Sequence, residues 1–374
     1  MPLQKILSDG LPLSEEESSM QQSEAIDISV VISCRNEIQL IRLFLESLFQ
    51  QDIPGLQVEV LIADGASEDG TRHVLAEFEK QYPALRVLDN PEKIAAAGLN
   101  RAIRESRGEI ILRMDAHTIY APDYVKSCLE VLYEANAENV GGPALTRAEG
   151  YIPQAIAHAF HAPFAVGGAK FRDPHYEGPT STVPYGCWRK STLECVGLFD
   201  EEMVRGQDDE LNHRIISAGG TVWQSPKIVS WYQPRANLSA LFWQYFQNGF
   251  WKVAAIRKHC RPASFRNLVP ATCLLLGFAL PVCAAVERLG GSPKWQNIFL
   301  AAWIALAGLY LTVSYGSAIL VARRAGWKFL PILPIVFATY QFSYALGFLL
   351  GLLHHPAGRH GSNPRRKVAT TLTR

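Results

Sequence analysis

Three groups of acidic residues in this sequence have the types and spacings to do chemistry. Asp115-Ala116-His117 sets a carboxylate and an imidazole two residues apart. In an extended segment side chains at i and i+2 point alike, so both could hold one divalent cation able to neutralise phosphates. Gly206-Gln207-Asp208-Asp209-Glu210-Leu211-Asn212-His213-Arg214 packs three acids at the start of a helix. The macrodipole stabilises negative charge there, and one of the three could act as general base toward an attacking hydroxyl. In Asp64-Gly65 with Ser67, Asp69, Gly70 and Thr71, the first carboxylate could accept from a ribose hydroxyl or a base imide. Each group alone also suits a plainer task, helix capping or an Asx turn.

The elements that must position these groups alternate. Ile28 to Cys34 is an apolar strand, Arg35-Asn36-Glu37 a polar break, and the segment to Phe49 a helix. Val58 to Ala63 is a second strand, Arg72 to Lys80 a helix, Leu85 to Leu88 a short strand, Lys93 to Glu105 a helix, and Glu109 to Arg113 a strand running into Met114-Asp115. Strands alternating with helices predict an α/β fold with a mainly parallel sheet covered on both faces. In such open sheets ligands bind beyond the carboxyl ends of the strands, where Arg35-Asn36-Glu37, Asp64-Gly65 and Asp115-Ala116-His117 all fall. Tyr151 to Gly168, mildly apolar with His158 and His161, reads as a surface helix, an interfacial or acceptor-side segment being the alternative.

The second half changes character. Leu268 to Val286, Ile298 to Ala322 and Phe329 to Leu353 are each apolar enough and long enough to span a bilayer. Before them, Leu238 to Ile256 is rich in aromatics, which fits an amphipathic helix at the membrane surface. Gln244, Trp251 and Lys252 within it could border a donor or acceptor channel. Arg257, Lys258, Arg261 and Arg266 before the first stretch, and Arg323, Arg324 and Lys328 between the second and third, favour a cytoplasmic side. Three spans would then export a tail holding Arg359, Arg365, Arg366 and Lys367. Either that rule is broken, or one stretch, interrupted by Pro281 or by Pro331 and Pro334, does not cross.

Residues 1–27 are polar and acidic, without the basic and apolar regions of a signal peptide, and are expected to be disordered. With 36 basic against 35 acidic residues, no charge asymmetry points to nucleic acid. Seven scattered cysteines without a C-x-x-C pair suit reduced thiols and argue against zinc.

In this order the clusters resemble family 2 glycosyltransferases of the GT-A fold, and within them the succinoglycan-type exopolysaccharide group. Val30 to Glu37 resembles the family's first strand and nucleotide loop, with Ser33 where proline is usual; Ala63 to Thr71 resembles its uracil-contacting loop. Arg113-Met114-Asp115-Ala116-His117 resembles the metal motif, with His117 in place of the last aspartate. Gly206 to Leu211 resembles the segment bearing the base, with Gln207 for the commoner glutamate. The Q-x-x-R-W motif of processive synthases lacks its arginine in Gln244 to Trp251, which favours single addition.

Composition places an interfacial helix at 236–267, a two- or three-span region at 268–353 and a basic tail at 354–374 after the GT-A domain at 28–235 that the resemblance implies. The resemblance also implies inverting transfer from a nucleoside-diphosphate sugar, a UDP-hexose for preference, to a hydroxyl of a lipid-linked saccharide at the inner (cytoplasmic) membrane, with the catalytic domain in the cytoplasm. Asp208 is then the base, and Arg35, Glu37, Asp64, Arg113 and Asp115 contact the donor. Asp115 and His117 hold Mg or Mn, and Asp209, Gln244 and Trp251 border the acceptor channel. The rivals are a polyprenyl-phosphate glycosyltransferase, whose anionic acceptor needs no base, and a non-catalytic nucleotide-sensing membrane protein.

Overall fold

The computed structural model describes residues 26–53, 55–259 and 265–354. Nearly all of the expected N-terminal stretch and of the basic tail lies outside the described residues. The first half runs β1 (Ile28–Cys34), α1 (Ile41–Phe49), β2 (Val58–Asp64), α2 (Thr71–Gln81), β3 (Leu85–Asp89), α3 (Ala95–Glu105), β4 (Ile110–Arg113), β5 (Thr118–Tyr120), α4 (Tyr124–Glu134), β6 (Asn139–Gly141) and β7 (Leu145–Thr146). Then come α5 (Tyr151–Phe160), α6 (Pro163–Val166), β8 (Gly178–Pro179), β9 (Cys187–Arg189), α7 (Lys190–Val196), α8 (Gln207–Ser217), β10 (Val222–Gln224) and β11 (Ser230–Tyr232). Four long helices follow: α9 (Leu238–His259), α10 (Val269–Gly290), α11 (Pro293–Ala325) and α12 (Leu333–His354).

β1 and β2 read ISVVISC and VEVLIAD, and all but one residue of each is buried, because helices cover both faces. Val30 and Ile32 point into a core with Phe44 and Leu45 of α1, Leu75 of α2 and Cys128 of α4. Val31 and Leu61 point the other way, against Leu99 and Ile103 of α3 and Leu211 and Ile215 of α8. The sheet order is β3-β2-β1-β4-β9-β6-β10-β8. The first four strands are parallel, so their carboxyl ends share one rim. β9 lies antiparallel between β4 and β6, which makes the sheet mixed. β11 joins β5 and β7 in a small second sheet beside that rim.

Three helices, α10, α11 and α12, are long and apolar enough to cross a membrane. At 1.5 Å per residue a 22-residue helix such as α10 or α12 is about 33 Å long, the thickness of a hydrocarbon core. Pro281 lies inside α10 without ending it, whereas Pro334 sits in the first turn of α12, where a missing N–H costs nothing. The helices pair unequally, α10 with α11 and α9 with α12. Only 6% of the most apolar stretch of α11 is buried, against 44% for α12.

α9 and α12 approach closely through glycines. A Cβ at Gly347 would come within 1.9 Å of the Phe246 carbonyl oxygen, and one at Gly249 within 2.1 Å of that of Tyr344. This is the small-residue packing that lets helix backbones touch in an apolar solvent. The aromatics of α9 therefore do more than face an interface: Phe250 and Trp251 are buried, Trp243 exposed. α5 also departs from expectation. It is no surface helix, because Ala155, Ile156 and Ala159 are buried against Phe337 and Tyr340 of α12 and Ala318 of α11.

Candidate active site

Two loops at the rim clasp each other. Asn36, at φ 56°, donates its backbone N–H to Ser67 Oγ (2.9 Å) and accepts from the Glu68 N–H (2.9 Å). The Glu37 N–H donates to Thr71 Oγ1 (2.8 Å) and the Ile38 N–H to Asp69 Oδ2 (3.1 Å). Gly70, left-handed at φ 99°, lets the second loop turn straight into α2.

Asp64, at the end of β2 and 1% exposed, is held by Ser67 Oγ (2.5 Å) and Arg72 Nη1 (3.2 Å). Arg72 also pairs with Asp89 at the end of β3 (2.6 Å). Arg35 lies on Gly65, where a Cβ would meet its side chain at 3.2 Å, and its buried Nε has no hydrogen-bond partner among the described residues. A buried orphan donor beside a fixed carboxylate suits a ligand carrying both acceptors and donors, as a nucleoside does.

Arg113 organises the next layer. Its guanidinium, buried at the end of β4, donates to Asp115 Oδ1 from Nη2 (3.0 Å) and to Asp208 Oδ1 from Nη1, and lies 5.8 Å from the Phe199 ring. Arg113 bridges two carboxylates from different elements and sets their separation. The Asp115 N–H donates to Tyr120 Oη (2.7 Å), fixing the turn after β4. Asp208 reaches Arg113 because left-handed Gly206, φ 77°, starts α8 and leaves Asp208 in its first turn.

Burial pushes the Asp208 carboxyl up to about 6; Arg113 opposes this, while Asp115 and Asp209 add to it. The adjacent Asp209 behaves differently. Burial acts upward on it too, but Lys252 of α9, 2.6 Å away, outweighs that and holds it below the usual carboxylate range. Two neighbouring acids thus differ in the way a base and a structural anion differ.

His117 Nδ1 lies 3.6 Å from Glu37 Oε1, and its ring meets that of Tyr232 edge-on at 6.5 Å. Burial would lower its pKa, but Glu37 and Asp115 together raise it. Among the described residues no three His, Cys, Asp or Glu side chains gather at one point. Asp115 and His117 could hold a divalent ion only with further oxygens supplied from elsewhere, as a diphosphate does.

A cavity of about 1250 Å³ opens beside Asp208 and Asp209. It extends past Arg205 and Trp251 to Leu274 and Phe278 of α10 and to Trp303 and Ala307 of α11. Asp209, Trp251 and Lys252 line it; Gln244 does not, being held between Arg235 Nε (3.2 Å) and Tyr232 Oη (3.0 Å). The sequence motifs leave out two partners of the site, Arg72 and Tyr120, and two cations that line the cavity, Arg172 and Arg205. Arg72 directly follows the Asp64 loop and Arg205 directly precedes Gly206, so adjacency could have flagged both; Tyr120 and Arg172 carry no local signal.

The profile described as glycosyl transferase family 2 matches residues 29–188. The succinoglycan biosynthesis protein ExoA of Rhizobium meliloti (strain 1021) is 31% identical over 251 residues, 67% of this chain and 76% of that protein. A dolichyl N-acetyl-alpha-D-glucosaminyl phosphate 3-beta-D-2,3-diacetamido-2,3-dideoxy-beta-D-glucuronosyltransferase of Methanococcus voltae is 29% identical, covering 62% of this chain and 74% of its own. Among solved structures, mannosyltransferase PcManGT from Pyrobaculum calidifontis, in complex with GDP-Man and Mn2+, superposes with a TM-score of 0.53 at 20% identity, over 84% of this chain and 86% of that one, a likeness of fold. With the rim, its clasped loops and the Asp115–Arg113–Asp208 bridge in view, the chain belongs to glycosyl transferase family 2, a GT-A α/β domain followed by three helices able to cross a membrane.

Proposed function

We propose that this chain transfers a sugar from a nucleoside-diphosphate sugar, a UDP-hexose for preference, to a hydroxyl of a lipid-linked saccharide, with inversion, in exopolysaccharide or cell-surface glycan synthesis. One observation carries the reading: Asp208, raised to about 6, stands at the mouth of the cavity that leads to the apolar helices. A carboxylate of that pKa is ionised near neutrality, yet basic enough to take a proton from a hydroxyl as that oxygen attacks the anomeric carbon. The name of one relative, a transferase acting on a dolichyl phosphate sugar, supports a lipid-linked acceptor, and that of another, a succinoglycan biosynthesis protein, supports exopolysaccharide synthesis.

Asp64 and Arg35 would take the ribose and base of the donor. Asp115 and His117 would hold a divalent cation, and the imidazole suits manganese better than magnesium. When bound, the cation supplies charge stabilisation to the departing diphosphate. Arg113 bridges Asp115 and Asp208 and opposes the upward shift of Asp208, so that the diphosphate side and the proton-accepting side stay separate. The arginine missing from Gln244 to Trp251 favours one addition per encounter. The catalytic domain would face the cytoplasm at the inner membrane, with α10 to α12 as anchor.

The test incubates the purified chain with single nucleotide sugars and membranes holding lipid-linked saccharide, and reads the anomeric configuration of the product by NMR. Transfer with inversion is expected. Retention of configuration, or no transfer from any nucleotide sugar, overturns the proposal.

A further inference from the structure

The cavity beside Asp208 combines two features that its family membership does not explain. Its far part is apolar and lies between helix pairs, lined by Leu274, Gly277 and Phe278 of α10 and by Trp303, Ala307 and Tyr310 of α11, the two helices joined there by Trp303 Nε1 donating to the Gly277 carbonyl (3.1 Å). Its near part is lined by three arginines, Arg172, Arg205 and Arg266, none of which forms an ion pair with a carboxylate among the described residues.

Arg172 and Arg205 are partly buried, Arg266 exposed. Arg172 stacks on the rings of Phe160 (4.6 Å) and Phe171 (4.9 Å) and donates from Nη1 to the Val166 carbonyl (2.9 Å), while its buried Nε has no partner among the described residues. Arg266 Nη1 donates to the Gly168 carbonyl (3.1 Å). The charged neighbour of Arg205 is another cation, Arg235, and both burial and that neighbour disfavour its charge. The two carboxylates at this end are engaged elsewhere, Asp208 by Arg113 and Asp209 by Lys252. Arg172 lies in the field of Asp209, whereas Arg205 forms no ion pair among the described residues; guanidinium groups so placed at the head of an apolar channel fit a phosphate carrying a long hydrocarbon chain.

We infer that the near end of the cavity is a phosphate site for the acceptor's lipid carrier: Arg205 with Arg172 binds the phosphate that joins carrier to saccharide, and the chain runs along the apolar wall that α10 and α11 form together. The occupant is the carrier and not bulk phospholipid, because the arginine end opens onto Asp208, where the acceptor hydroxyl has to arrive. This assignment rests on the proposed transfer to a lipid-linked saccharide and names the chemistry by which that acceptor is held.

The experiment uses the full chain in phosphatidylcholine nanodiscs and a polyprenyl phosphate carrying a benzophenone at its chain end. Irradiation is expected to label residues 269–278 or 303–310. Unlabelled polyprenyl phosphate should compete at least about tenfold better than polyprenol of equal length, the value of one charge-assisted hydrogen bond. Phosphatidylglycerol should not compete.

Arg205→Gln should erase most of the preference for phosphate over polyprenol and Arg205→Lys should retain part of it. Unchanged competition by polyprenol in both variants shows that the cavity still folds. Equal competition by polyprenol and polyprenyl phosphate in the unaltered chain removes the phosphate site. Competition by phosphatidylglycerol makes the cavity a general lipid surface, and labelling spread over the outer faces of α10 to α12 removes the channel. The measurement needs neither donor nor turnover. Phosphate-dependent labelling without sugar transfer would therefore overturn the activity and keep the site, and transfer without such labelling would do the reverse.

Discussion

Replacing Asp208 by asparagine separates chemistry from binding more cleanly than any other change at this site. The amide keeps the side-chain oxygen that accepts from Arg113 Nη1, and Arg113 keeps Asp115 through Nη2 at 3.0 Å, so the rim should hold its shape. What disappears is the proton acceptor. A positioned general base contributes on the order of 10²- to 10⁴-fold in rate, about 3 to 5 kcal/mol of barrier. Transfer by Asp208→Asn should fall by that factor while nucleoside diphosphate affinity changes by no more than about twofold, since the nucleoside pocket proposed at Arg35 and Asp64 is built from other elements.

Release of nucleoside diphosphate under saturating acceptor gives the rate, and calorimetric titration gives the affinity. The unaltered enzyme supplies an independent check. Raising an acid's pKa keeps its proton on to higher pH, so the ionised fraction of Asp208 grows as pH rises through about 6. Turnover at pH 5 should be roughly one tenth of that at pH 7.5, and the acid limb should vanish from the residual activity of Asp208→Asn. A loss below about tenfold would refute the assignment and favour an anionic acceptor, which needs no base. A collapse of donor affinity would refute it in a different way, by placing Asp208 on the donor.

Arg113→Met should move the acid limb to higher pH, because Asp208 loses the cation that opposes its upward shift; an unmoved limb in a pH–rate profile would remove Arg113 from control of the base. Chelation should abolish transfer, and His117→Asp should shift the preference from manganese toward magnesium in a metal-rescue assay, since carboxylates suit the harder ion. Activity indifferent to chelator would take the metal away from Asp115 and His117. Gly347→Leu should lower the melting temperature of the detergent-solubilised chain, since its side chain would collide with the Phe246 carbonyl and overpacking costs about 1–3 kcal/mol. An unchanged melting temperature would show that α9 and α12 are not held together there.

The alternation of β1, β2 and β4 with their helices, and the presence of Arg35, Asp64 and Asp115 at the strand ends, was legible because parallel strands buried on both faces write near-continuous apolar runs, and because the loops after them must be polar. The three apolar stretches were legible for a similar reason, since a bilayer demands length and composition before it demands partners. Periodicity was silent where a short segment gains its role from a distant one. α5 reads as a surface helix because its apolar face is modest, and only α11 and α12 bury it.

The short strands β6 to β11 pair across long separations and carry too few residues to show an alternating pattern. The sequence alone determined which side chains carry charge and at which loop each sits. Only the tertiary structure decided which of two adjacent aspartates is ionised with difficulty. That depends on Arg113 arriving from β4 at Asp208 and Lys252 arriving from α9 at Asp209, and no local spacing encodes the distance between atoms on separate elements.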